Sequence, residues 1–125
     1  MKILGMIPAL DTNDLETESA FWANILGGEV IREDESGDQD WRAVVVDGKQ
    51  KLGVQYVENH EPPQWPEGPQ RTQVHLDLYV EDLDSAEAEV LAFGATALGG
   101  PTRDGTETFR VYADPAGHPF CLCRA

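Results

Sequence analysis

The chain is poor in positive charge. Of its 125 residues nine are Lys or Arg, against 23 Asp or Glu, for a formal net charge of −14 at pH 7. Phosphate binding needs clustered cations, so no nucleic acid is expected as a partner, and no anionic membrane surface either. Long hydrophobic runs are also missing. No stretch approaches the ~20 apolar residues of a membrane span. The opening apolar run is broken by Gly5 and Pro8 and followed by acid, so no secretory signal is read. Cysteine is scarce: Cys121 and Cys123 are the two in the chain, one residue apart. On a strand they would point the same way, too close for a good disulfide. Reduced thiols make the cytoplasm the expected location.

What is present suits a folded core. The hydrophobic fraction is 41%, with four Phe, three Trp and three Tyr, which argues against disorder. The length fits one compact domain over residues 1–125. The negative charge permits a cationic or metal-bearing ligand, and serves equally as a solubility device.

Along the chain, residues 3–12 read as a strand with Pro8 at an edge or bulge. Asn13 or Asp14 then caps a helix whose stripe is Leu15, Phe21, Trp22, Ile25 and Leu26, and Gly27-Gly28 ends it. A strand over 29–33 leads into a polar turn over 34–40. Strands over 41–46 and 51–57 flank the hairpin signal Asp47-Gly48. Residues 58–72 carry four prolines and read as a linker. The pattern then recurs: a strand over 73–80, a helix from Asp82 to Gly94, a short strand over 95–98, a turn region over 99–107, and strands over 108–113 and 119–123. Asn13-Asp14-Leu15-Glu16 matches Glu81-Asp82-Leu83-Asp84 at an offset of 68, and Trp41-Arg42 matches Phe109-Arg110 at the same offset. The chain is therefore two tandem βαβββ modules, about 1–57 and 73–125. Each has one helix to cover one sheet face, so the other face must bury against something or enclose it.

Strand alternation gives that open face its chemistry. Val74, Leu76, Leu78 and Val80 form an apolar face meant for the helix, which leaves His75, Asp77 and Tyr79 on the other. By the same alternation His75, Gln55 and Cys121 converge on one concave surface. His and Cys facing one another could ligate a metal. A hydrogen-bonded core histidine and a buried apolar cysteine are the plainer reading of the same residues.

The segments AFWANILGGEV, LGVQYVE, VHLDLYVEDLDSAEAEVLAFGA and ADPAGHPFCLC resemble the vicinal oxygen chelate superfamily, the group of glyoxalase I, bleomycin-resistance proteins and extradiol dioxygenases. The resemblance covers nearly the whole chain and is nearest to small bacterial glyoxalase-like proteins. It implies an α+β fold whose two βαβββ modules form a curved mixed-sheet cup, and a homodimer. It implies a small-molecule ligand, with a divalent metal (Zn, Ni, Mn or Fe) at positions that fall here on Ile7, Gln55, His75 and Cys121. His75 matches the family's ligand, Gln55 is a weak donor, Cys121 stands where Glu is usual, and Ile7 cannot ligate. A damaged metal site is expected, and glyoxalase I activity itself is not. Asp77 is the candidate catalytic base. Three functions follow: a metal-dependent lyase or isomerase, a non-catalytic binder of the bleomycin-resistance type, or an accessory domain with no ligand. For the second, Trp41, Trp65 and Tyr79 would line the ligand and supply cation–π contacts. The acidic run Glu33-Asp34-Glu35 reads as a solvated turn.

Overall fold

A computed structural model describes residues 1–32, 40–99 and 105–125. The run Glu33-Asp34-Glu35, most of the expected turn over 34–40, and much of that over 99–107 fall outside the described residues. Two compact units are formed, Met1–His60 and Glu61–Ala125. The fold class is α+β, with one four-stranded mixed sheet and one helix in each unit. Among the described residues no helix is long and apolar enough to cross a membrane.

The first unit runs β1 (Ala9–Thr12), α1 (Leu15–Leu26), β2 (Glu29–Ile31), β3 (Trp41–Val46) and β4 (Lys49–Tyr56), in sheet order β1-β4-β3-β2. The second repeats the plan with β5 (Leu76–Val80), α2 (Leu83–Phe93), β6 (Thr96–Ala97), β7 (Phe109–Ala113) and β8 (Pro119–Arg124), in order β5-β8-β7-β6. The first and last strands of each unit pair in parallel, which the intervening helix permits as a crossover. The expected βαβββ repeat is thus present twice.

Local chemistry explains where the elements begin and end. Asp14 caps α1 by accepting from the Thr17 backbone N–H, and Asp82 caps α2 by accepting from Asp84 and Ser85. Gly27 and Gly94 end the helices in the left-handed conformation. Asp47 and Gly48 both have positive φ, as a two-residue type I′ hairpin requires.

Three expected boundaries differ. The strand expected over 3–12 begins at Ala9. Pro8 accepts one bond from Gly53 N–H but has none to donate, and Ile3, Leu4 and Met6 are exposed. The strand expected over 73–80 begins at Leu76, so Val74 is exposed at 79% and does not join the apolar face. Residues 61–72 belong to the second unit: Gln64 bridges to Arg71, and a Cβ on Gly117 would overlap Pro62.

Each helix covers one face of its own sheet. In the first unit Phe21 and Trp22, packed edge to face at 5.3 Å, are buried on α1, as are Val44, Leu52 and Val54 on the strands. In the second, Leu83, Ala86 and Val90 of α2 are buried, as are Leu122, Phe120 and Tyr112, the last two stacked at 5.6 Å. The repeat extends to an ion pair. Arg42 of β3 reaches Glu16 of α1 at 3.3 Å, and 68 positions on Arg110 of β7 reaches Asp84 of α2 at 2.9 Å. Arg110 also binds Glu107 at 2.8 Å and Glu87 at 3.1 Å.

Candidate functional site

The helix-side contacts of Arg110 and Tyr112 fix which way the second sheet faces. Arg110 reaches Asp84 and Glu87, and the Tyr112 hydroxyl donates to Glu87, so both point toward α2. Alternation then turns Phe109 and Val111 of β7 to the other face. Register carries the face sideways: Phe109 pairs Cys123, Val111 pairs Cys121, Cys121 pairs Asp77 and Cys123 pairs Tyr79. The open face of this sheet therefore presents Asp77, Tyr79, Phe109, Cys121 and Cys123.

His75, immediately before β5, shares that side. Its Nε2 lies 3.1 Å from Asp77 Oδ1, and its ring meets Trp65 at 5.6 Å in an edge-on contact. The nitrogen of His75, a carboxylate oxygen of Asp77 and the Cys121 sulfur lie within 4.8 Å of one another. His75 and Asp77 are exposed, while Cys121 is buried. Above them is a cavity of about 420 Å³ lined by these three and by Trp65, Tyr79, Phe109, Cys123, Thr108 and Arg124.

Electrostatics decide what the thiols can do unaided. Burial, then the neighbouring Asp77 carboxylate, push the Cys121 thiol from 9.0 up to about 11. The same two causes push Cys123 upward. Both thiols hydrogen-bond to Asp77, which favours their protonated forms. Without a metal, Cys121 is therefore a poor nucleophile at neutral pH. As a metal ligand it is well placed, because a bound cation displaces the thiol proton.

Of the residues expected at a site, His75, Asp77, Cys121, Tyr79 and Trp65 come together here. Gln55 and Trp41 belong to the first unit, paired with each other across β3 and β4. They lie on the face turned away from Arg42, Val54 and α1. The Trp41 ring crosses Gly53, where a Cβ would overlap it. Ile7 precedes β1 and carries no donor. Phe109 and Cys123 were not expected as site residues. Both were reachable from sequence: Phe109 is the repeat partner of Trp41, and Cys123 alternates onto the face of Cys121.

A family model described as a glyoxalase-like domain matches residues 8–123. Among solved structures, the fosfomycin resistance protein FosX of Listeria monocytogenes is similar with a TM-score of 0.69 and 17% identity, over 100% of this chain and 95% of that one. A mutant of that protein, complexed with Mn(II) and 1S,2S-dihydroxypropylphosphonic acid, matches with a TM-score of 0.66 and 21% identity, over 98% and 90%. A glyoxalase/bleomycin resistance protein of Albidiferax ferrireducens T118 matches with a TM-score of 0.64 and 16% identity, over 98% and 99%. No curated protein matches the chain. At these identities the likeness to solved structures carries the fold, and function rests on the site.

Proposed function

The chain belongs to the glyoxalase-like domain family, and from that membership we propose that it binds a small organic molecule on the open face of its second sheet, beside a divalent ion, as a lyase or isomerase with an altered ligand set. One observation carries this reading: a nitrogen, a carboxylate oxygen and a sulfur converge within 4.8 Å at a cavity of about 420 Å³. Mn(II) in the FosX mutant supports the presence of an ion on this fold.

His75, Asp77 and Cys121 would hold the ion, and their chemistry fits one: two donors that bind readily, with a carboxylate between them. When bound, such an ion polarises ligand oxygens and stabilises negative charge that develops beside it. The chain's own residues do the rest. Trp65, Tyr79 and Phe109 offer aromatic walls against which the ligand would pack. Asp77 is the proton acceptor, because its carboxylate is the acid group among the cavity's lining residues. In the glyoxalase I pattern a Glu on the last strand has this role. Here Cys121 stands there, and Asp77 pairs with it from β5.

A second reading, sequestration without chemistry, is favoured by the three aromatic walls beside Asp77 on a chain of net charge −14. That setting suits a flat cationic molecule held by cation–π contacts. Metal analysis of protein purified without chelator separates the two. Stoichiometric Zn, Ni, Mn or Fe that disappears in His75→Ala supports the enzyme. Metal-free protein whose Trp fluorescence is quenched by a cationic aromatic dye supports the binder and ends the enzyme reading.

The same reading makes the protein a cytoplasmic homodimer. Two free thiols suit a reducing compartment, and exposed Met1, Ile3, Leu4 and Met6 are apolar surface that a second copy would cover. Light scattering that returns a mass near 13.8 kDa would refute the dimer.

A further inference from the structure

We infer that the cluster on the second sheet is a thiolate site, in which Cys121 with His75 and Asp77 selects a thiophilic divalent ion of the zinc and cadmium class over hard ions such as Mn(II) and Mg(II). This rests on the reading above that an ion is held there, and adds which ion and why.

Donor softness is the first ground. Thiolate binds Zn(II) strongly and contributes little to hard ions, which prefer carboxylate, carbonyl and water oxygens. Cys121 supplies a soft sulfur donor at a fixed place on β8. Geometry is the second ground. Zinc–ligand bonds of about 2.0–2.3 Å place neighbouring ligand atoms of a tetrahedron roughly 3.3–3.8 Å apart. Here the three atoms already lie within 4.8 Å, and His75 and Asp77 are 3.1 Å apart. Side-chain rotation closes the remaining gap of about 1 Å. Asp77 and Cys121 are register partners on adjacent parallel strands, so the ladder fixes their spacing. Three protein donors leave a fourth position for the cavity, the pattern of a reactive rather than a structural zinc site.

Cys123 has a different part. It lies two residues along the same strand face, and the three-donor cluster does not include it. On binding, one proton leaves Cys121 for solvent and a sulfur–metal bond forms.

The test uses the full chain stripped by chelator and titrated with Co(II), then challenged with Zn(II), Mn(II) or Mg(II). Co(II) is expected to produce a thiolate-to-cobalt charge-transfer band in the near ultraviolet. Zn(II) should abolish the band at one equivalent, with an affinity at least about a hundredfold above that for Mn(II). Cys121→Ser should lose the band, and Cys123→Ser should keep it. Circular dichroism melting shows whether each variant is folded. Should Cys121→Ser fail to fold, Cys121→Asp reports in its place, with no band and a Zn(II) preference over Mn(II) reduced at least tenfold. A band that survives in folded Cys121→Ser, or Mn(II) binding as tight as Zn(II), overturns the thiolate site but leaves an ion-binding enzyme standing. No binding of any of the four ions removes the ion from the functional reading, and the thiolate site with it.

Discussion

Cys121 has two possible states at the proposed site. As a free thiol it is buried, beside a carboxylate, and held protonated with a pKa of about 11. Its sulfur lies within 4.8 Å of the His75 and Asp77 donor atoms, which suits the proposed ion. His75→Ala should therefore empty the site of metal, while the melting temperatures of the two metal-free proteins stay nearly equal, because the ring is partly exposed and outside the core; metal analysis and calorimetry check both halves. Gln55→Ala should leave metal content unchanged, since three stronger donors already lie together in the second unit. Gly53 is a residue-scale constraint of another kind. A Cβ there would meet the Trp41 ring, so Gly53→Ala should displace the indole and shift Trp emission. That His75 and Asp77 share a face, and that Cys121 alternates with Phe120 and Leu122, was legible from strand alternation. The contact between His75 and Trp65 was not, because nothing in a proline-rich stretch says which strand it will fold against.

At the scale of elements, the helix caps were readable and the strand starts were not. A cap is local: an Asp accepting from an N–H two or three residues ahead needs no tertiary partner. Asp14→Ala should lower stability by about 1 kcal/mol, measured by urea unfolding. A strand start depends on what lies alongside, so residues 3–8 and 73–75 looked extended yet remain outside the ladders. The carboxylates at these element ends also set an acid limit. Hydrogen bonds from Arg110 hold Glu107 below its ordinary 4.5, and hydrogen bonds from Ser85 and Thr17 hold Asp82 and Asp14 below 3.8. A pKa lowered by folding contributes stability in full above the unfolded value, and that stability is lost as pH falls through the folded one. The melting temperature should thus be flat above about pH 5 and fall steadily below it, with a shallower fall in Glu107→Gln.

For the molecule as a whole, the 68-residue repeat is the organising fact. It sets two cores, two caps, two Arg–carboxylate pairs and two parallel first-to-last strand pairings. Phe120→Ala, at a side chain with no exposed surface that stacks on Tyr112, should cost about 3–5 kcal/mol in urea unfolding. The repeat, the α+β class and the helix ends are consequences of periodicity and capping, which are properties of neighbours along the chain. The two halves have nonetheless diverged in chemistry. At equivalent places on their open faces the first carries Gly53, Gln55 and Trp41, and the second Cys121, Cys123 and Phe109. The grouping of a histidine, an aspartate and a cysteine 46 positions from that histidine under one cavity depends on strand register and on the fold-back of residues 61–72. Register is set by long-range hydrogen bonding and by which face a helix covers, and neither is written in any single stretch of the chain.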